Sequence, residues 1–415
     1  MKSTIGLKLR QKSSMIILAL ALTFVVHVVN PAAFAQDHWV GTWATPPVAV
    51  LAPAGEAAAA FNNQTLRQIV RISIGGRLVR VRLSNAFGTQ PLAVGSAHIA
   101  LRSAGAAIKP GSDRTLTFGG AKSTTIWPGA LMVSDAVELD VPALGDLAVS
   151  IYLSGDVPAT LPITGHRVAR QTNYVSPAGD FTASADMPFS TTTQSWYFLT
   201  GVEVMAPQQV GAVVVLGDSI TDSNLSTPDT NHRWPDQLAR RLSAARRQIG
   251  VLNAGTAGNR ILHDGVGESG LHRFDRDVLS QSGVAYVIVL LGVNDLRNRN
   301  PVAVTAEDMI AGYKQMILRA HARGIKIFGG TLLPYENETF TPGAYTPEGE
   351  AKRQAVNAWI RTSGAFDAVI DFDRALRDPS HATSLLPKYD YGDHLHPSDL
   401  GYQMMGDTID LALFK

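Results

Sequence analysis

In VVVLGDSITDS, residues 213–223, an apolar run ends abruptly at Gly217, Asp218 and Ser219. A strand running into a tight turn is a good place to hold a reactive hydroxyl, which would make Ser219 a nucleophile. The same turn is also an ordinary helix start, where Ser and Asp cap orphan backbone N–H groups. The choice rests on whether the chain supplies a base, an orienting carboxylate and oxyanion donors elsewhere.

Outward from this stretch toward the C-terminus, strand-like and helix-like segments alternate. GAVVVLGD reads as a strand, RWPDQLARRLSAARR (233–247) as a helix and IGVLNAG as a second strand. A helix near 271–280 and a buried strand VAYVIVLLG (284–292) follow. TAEDMIAGYKQMILRAHARG (305–324) is a helix with Met309, Tyr313, Met316 and Ala320 on one face. GIKIFGG and EGEAKRQAVNAWIRT add a strand and a helix. This rhythm predicts a mostly parallel sheet covered on both faces, with ligands beyond the carboxyl ends of its strands. Ser219 stands at that end of its strand.

Toward the N-terminus the period changes to two. LRQIVRISIGG (66–76) and RLVRVRLSNAF (77–87) alternate apolar and polar residues, and Gly75-Gly76 reads as a hairpin turn between them. LAVGSAHIALR, LAVSIYL and SWYFLTGVEVM continue the strand-like runs, and no long helical pattern interrupts them. The expectation is an all-β sandwich or jelly-roll-like accessory domain over 36–205, followed by an α/β domain over 206–415. That β-domain either binds carbohydrate through exposed aromatics such as Trp127 or Trp43, or buttresses and walls the site.

The first 35 residues read differently. Lys2, Lys8, Arg10 and Lys12 precede the apolar run MIILALALTFVVHVV (15–29), and PAAFA places small residues at Ala33 and Ala35. This is the layout of a secretory signal peptide cleaved between Ala35 and Gln36, which predicts a periplasmic or extracellular protein. The rival, a membrane anchor, needs roughly 20 apolar residues, more than this run offers. Cleavage leaves 32 basic against 35 acidic side chains, a formal charge of −3, so no net basic field draws nucleic acid. The 415 residues contain no Cys, which excludes disulfide and thiolate chemistry. Nothing in the composition speaks to oligomeric state.

Three further blocks bear on Ser219. In NAGTAGNRIL (253–262), Gly258 is either loop flexibility or a place where a backbone N–H approaches a ligand oxygen. In LLGVNDL (290–296), Asn294 either caps a turn or points its amide at a developing oxyanion. In YDYGDHLHPSDLGYQ (389–403), Asp393 and His396 suit a carboxylate that fixes an imidazole tautomer. Asp393, His394 and His396 also admit a metal reading, which no further His cluster supports.

Together the blocks GDSI (217–220), Gly258 in NAGTAG, Asn294 in GVND, and Asp393 with His396 in DHLHP resemble the SGNH, or GDSL-type, hydrolase superfamily. The resemblance covers roughly 208–413, with Ile220 where the family name has Leu, and the added β-rich part resembles larger secreted bacterial members. It implies a three-layer α/β/α flavodoxin-like fold and ester hydrolysis without a cofactor or metal. On that resemblance Ser219 is the nucleophile, His396 the general base and Asp393 its orienting carboxylate. The N–H groups of Ser219 and Gly258 and the side chain of Asn294 form the oxyanion hole. Asp218 and Asp222 take structural roles.

The expected substrate is a small acyl ester or an acylated carbohydrate. No apolar lid helix stands near the blocks, which weighs against a lipase for long triglycerides. Candidate substrate contacts are Arg260 and His263 after the Gly258 block, and Tyr335, Phe340 and Tyr345 in LLPYENETFTPGAYTP (332–347). Carbohydrate deacetylation is the nearest alternative, and a catalytically inactive secreted glycan-binding protein is the alternative of a different class.

Overall fold

The computed structural model describes residues 37–50, 59–297 and 302–415. The signal segment expected over 1–35 lies outside the described residues. Five strands form a fully parallel sheet in the spatial order Ile249–Gly255, Gly211–Gly217, Val284–Leu290, Lys326–Gly330, Ala368–Ile370. In chain order this is 2-1-3-4-5, the flavodoxin-like order. The order in which strands are added reverses between the first and third strands of the chain, opening a crevice at their carboxyl ends. Val213, Val214, Val215 and Leu216 have no exposed surface, as expected of a central strand covered on both faces.

The covering helices follow their sequence signals. Trp234–Ala244 starts with Pro235 in its first turn and buries Trp234, Leu238, Ala239 and Leu242, one stripe at helical spacing. Ala306–His321 opens with a reciprocal capping box between Thr305 and Asp308 and buries Met309, Tyr313, Met316 and Ala320. Pro347–Thr362 and Asp399–Thr408 complete the long helices. Among the described residues no helix is long and apolar enough to cross a membrane.

Upstream, the antiparallel strands form a five-stranded and a seven-stranded sheet with a small three-stranded one, a β-sandwich-like arrangement. The expected hairpin at Gly75-Gly76 is not there. Phe61–Arg71 pairs with Asp146–Val157 and Asn173–Ala178 in the larger sheet, while Gly76–Ser84 pairs with Leu199–Ala206 in the other. The glycine pair answers to packing instead of a hairpin, since a Cβ on Gly75 would lie 2.4 Å from the carbonyl oxygen of Val141. Trp43, expected to be exposed, is buried edge-on against Trp196, while Trp127 is exposed.

Residues 37–415 form one compact unit, and its large apolar cluster runs from Val40 and Val81 through Val213 to Tyr402. At the seam, the Val251 N–H donates to Ser73 Oγ at 2.9 Å and the Gly41 N–H to the Ser282 carbonyl at 2.9 Å. Ile249–Gly255 is an edge strand, so the Val251–Ser73 bond covers part of an edge that would otherwise offer unpaired N–H groups. Gly250 permits the approach: a Cβ there would sit 2.1 Å from the Gly41 carbonyl oxygen.

Candidate active site

Ser219 opens a single helical turn, Ser219–Asp222, directly after the first strand of the parallel sheet. Asp218 caps that turn by accepting the Ile220 N–H at 3.0 Å. Two glycines let the turn fold back on the sheet. A Cβ on Gly217 would lie 2.0 Å from Thr221 Oγ1, and one on Gly255 would lie 2.3 Å from the Asp222 nitrogen. Ser219 is therefore both the start of a helical turn and a hydroxyl held at a strand's carboxyl end.

His396 reaches it from the other end of the chain. Its Nε2 lies 2.9 Å from Ser219 Oγ and its Nδ1 lies 2.6 Å from Asp393 Oδ2. The second carboxylate oxygen of Asp393 accepts the backbone N–H groups of His396 at 2.8 Å and Leu395 at 3.1 Å. Burial pushes the Asp393 carboxyl up, but the His396 ring and these two N–H donors outweigh it and hold the group below its ordinary value. The carboxylate thus stays ionised beside the ring. His394 turns away and pairs with Asp390 at 2.5 Å, so it does not join the other two. Among the described residues no three His, Asp or Glu side chains gather as metal ligands.

Gly258 sits in the loop after the second strand with φ +74°, a conformation a side chain disfavours. Asn294 follows the third strand and is buried. Its Nδ2 donates to the Asn259 carbonyl at 3.1 Å, and its Oδ1 accepts from Arg297 at 3.3 Å. Arg297 in turn donates to Glu338 through Nε at 3.0 Å and Nη2 at 2.5 Å. With the oxygen turned to Arg297, the amide nitrogen faces the Gly258–Asn259 loop.

Two buried guanidinium groups, which the sequence does not single out, hold this assembly together. Arg273 donates to the carbonyls of Gly217 at 2.9 Å and Ala254 at 2.8 Å, and to Asn259 Oδ1 at 3.0 Å. It joins the ends of two strands to the Gly258 loop. Arg297 joins Asn294 to the loop carrying Glu338 and lies over the Phe340 ring. Two carboxyls around the turn are held above their ordinary value. Burial raises Asp218 to about 6 and Asp295 to about 7, partly offset by the backbone N–H groups that each accepts.

Of the weaker candidates, Phe340 comes to the site: its ring packs edge-on against the His396 ring, centroids 5.5 Å apart. Phe340 also lines a cavity of about 500 Å3 between the Thr256–Gly267 loop and the β-rich region's His166 loop. Tyr335 is fully buried and packs on Tyr345 instead of facing this cavity. Arg260 and His263 do not line it either. The sequence missed the β-rich region's contribution, His166, whose Nε2 lies 3.0 Å from Asp222 Oδ1.

Residues 215–404 match the GDSL-like Lipase/Acylhydrolase family. Among solved structures the chain is similar to a GDSL-like lipase from Bacteroides thetaiotaomicron VPI-5482, at 22% identity over 49% of this chain and 87% of that one, TM-score 0.38. It is also similar to a lipase/acylhydrolase from Enterococcus faecalis, at 21% identity over 48% and 92%, TM-score 0.37. A third is an acetylxylan esterase from Geobacillus stearothermophilus, at 19% identity over 48% and 91%, TM-score 0.37. No curated protein matches the chain. Over residues 215–404, just under half of the chain, the α/β region is thus that of an SGNH/GDSL-type serine hydrolase, with a distinct all-β region before it.

Proposed function

We propose that this acylhydrolase is an exported serine esterase that cleaves short-acyl carboxylic esters through an acyl-enzyme. The observation that carries the reading is the unbroken line of hydrogen bonds from Asp393 through His396 to Ser219. Ser219 Oγ attacks the carbonyl carbon while His396 Nε2 takes its proton, and Asp393 keeps the other ring nitrogen protonated. The tetrahedral oxyanion is met by the N–H groups of Ser219 and Gly258 and by the Asn294 amide. Collapse expels the alcohol, which receives the proton from His396. Water, activated by the same ring, then releases the acid.

The short-acyl preference is supported by the loop 332–347, which is polar, contains Pro and Gly, and contributes only Phe340 to the cavity wall. Each buried methylene gains up to about 0.8 kcal/mol while wall remains to contact, and nothing beyond it. A p-nitrophenyl series from acetyl to palmitoyl, run beside acetylated sugars, tests this. kcat/KM is expected to peak between acetyl and roughly hexanoyl esters. A steady rise to palmitoyl would contradict it, and a strong preference for acetylated sugars would move the reading to carbohydrate deacetylation. Export is tested by N-terminal sequencing of protein recovered outside the cytoplasm, with a start at Gln36 expected.

A further inference from the structure

The cavity that Phe340 lines, the Phe340 ring also packing on His396, has two kinds of wall. One side, Val266 and Phe340, comes from the α/β region, and these side chains are 60% and 58% exposed although apolar. The other side, Val48, Arg167 and Val168, comes from the β-rich region. Val168 is 39% exposed and has φ +56°, a left-handed conformation that a β-branched residue rarely adopts. Strain of this kind persists only where the surroundings impose it.

The surroundings impose it from both flanks. On one side His166 is buried, with Nδ1 3.0 Å from the Pro46 carbonyl and Nε2 3.0 Å from Asp222 Oδ1. Both ring nitrogens face acceptors, so both carry protons and the ring is an imidazolium paired with Asp222. On the other side, the Ala169 carbonyl accepts from Arg233 at 2.7 Å and Arg170 Nε donates to the Ser226 carbonyl at 2.7 Å. The segment 166–170 is thus fastened to the α/β region at both ends, and Arg167 and Val168 are what it presents to the cavity. Arg167 is exposed and, among the described residues, has no hydrogen-bond or ion-pair partner.

We propose that Arg167 and Val168 select the substrate: Val168 extends the apolar wall, and the Arg167 guanidinium binds a carboxylate or phosphate carried by the ester's alcohol part. A guanidinium fork matches either anion in two-point hydrogen bonding. The chain's formal charge after cleavage at Ala35 is negative, so anion preference would have to arise from this local group and not from the overall field. The inference rests on the proposed esterase chemistry for the identity of the ligand, but its test does not need turnover.

The test uses Ser219→Ala protein and three acetates built on one aryl frame: 4-acetoxybenzoate, 4-acetoxyphenyl phosphate and 4-acetoxybenzamide. Dissociation constants are measured by calorimetry. At least one anion is expected to bind about tenfold or more tightly than the neutral amide, the scale of one charge-assisted pair at a solvated rim. The tighter of the two anions names the source of the charge. Adding Arg167→Gln is expected to bring the ratio toward one, with an unchanged melting curve showing that the exposed substitution leaves the fold intact. Val168→Gly, which also relieves the backbone, is expected to weaken all three ligands together. Equal binding of anions and amide, or a preference that survives Arg167→Gln, overturns the proposal. Persistent turnover by Ser219→Ala would instead count against the nucleophile assignment, so the two failures are distinct.

Discussion

Asp393→Asn separates the proposed role of this carboxylate from a merely structural one. In the native site, Oδ1 accepts two backbone N–H groups at 2.8 and 3.1 Å while Oδ2 faces His396 Nδ1 at 2.6 Å. An asparagine has only one oxygen. Placing its NH2 against the two N–H donors would set donor against donor, so the oxygen stays on the backbone and the NH2 turns to His396. The ring must then accept at Nδ1, which moves its proton to Nε2. That nitrogen can donate to Ser219 Oγ but can no longer take its proton. The geometry survives and the tautomer is wrong. The expected loss in kcat is about four orders of magnitude, the scale of such a swap in a serine hydrolase triad, or about 5.5 kcal/mol in the barrier. KM is expected to change little, because the alcohol and acyl contacts are untouched. Steady-state and burst kinetics with p-nitrophenyl acetate measure both, with a melting curve to confirm folding. A kcat within tenfold of wild type in a folded Asp393→Asn protein would refute the tautomer argument.

Asn294→Ala is expected to lower kcat by about 3 kcal/mol in transition-state terms with a smaller effect on KM, as read from Michaelis–Menten kinetics. A large KM rise at constant kcat would move Asn294 to ground-state binding. Gly255→Ala, measured by thermal melting and esterase assay, is expected to lose stability and activity together, because the new methyl meets the backbone of the Ser219 turn at 2.3 Å. Activity is expected to survive exhaustive EDTA treatment, since every proposed reacting group is a protein atom; loss restored by one added divalent ion would contradict this. Burial is the largest single influence on His166 and lowers it, but the Asp222 charge and the hydrogen bonds to Asp222 and Pro46 together outweigh it and raise the ring above its ordinary 6.5. The pair's stabilisation is thus present below pH 6.5 and is lost as pH climbs through the raised value. The melting temperature is therefore expected to fall on the alkaline side of pH 6.5, and less steeply in His166→Asn.

Much of the α/β region is legible because each local signal agrees with the global one. The Val213–Leu216 run, the stripe of Met309, Tyr313, Met316 and Ala320, and the Thr305/Asp308 cap all point to covered parallel strands. The residues of the site are legible as chemistry, since few residue types can serve as nucleophile, base and amide donor at strand ends. The β-rich region is legible only as alternation. A period of two says that residues 66–72 and 77–83 are strands, but not which sheet each joins, because that depends on partners such as Val202 and Val149 more than sixty residues away. Gly75-Gly76 looked like a turn because close packing and positive φ leave the same mark in sequence. Arg273, Arg297 and His166 were hidden for a related reason. A buried charge is recognised by its partners, and theirs are carbonyls and carboxylates from distant segments. Phe340 stood out as an aromatic in a loop, whereas Tyr335 five residues earlier looked alike and is buried.

The account turns on Ser219 Oγ being the atom that takes the acyl group. An aryl alkylphosphonate, which mimics the tetrahedral intermediate and stays bound to the attacking oxygen, puts this to a direct measurement by intact-protein and peptide mass spectrometry. One equivalent of adduct is expected, mapped to the peptide carrying Ser219, formed in step with loss of esterase activity and absent from Ser219→Ala. An adduct on another residue accompanying inactivation, or full activity in protein fully labelled at Ser219, would contradict it.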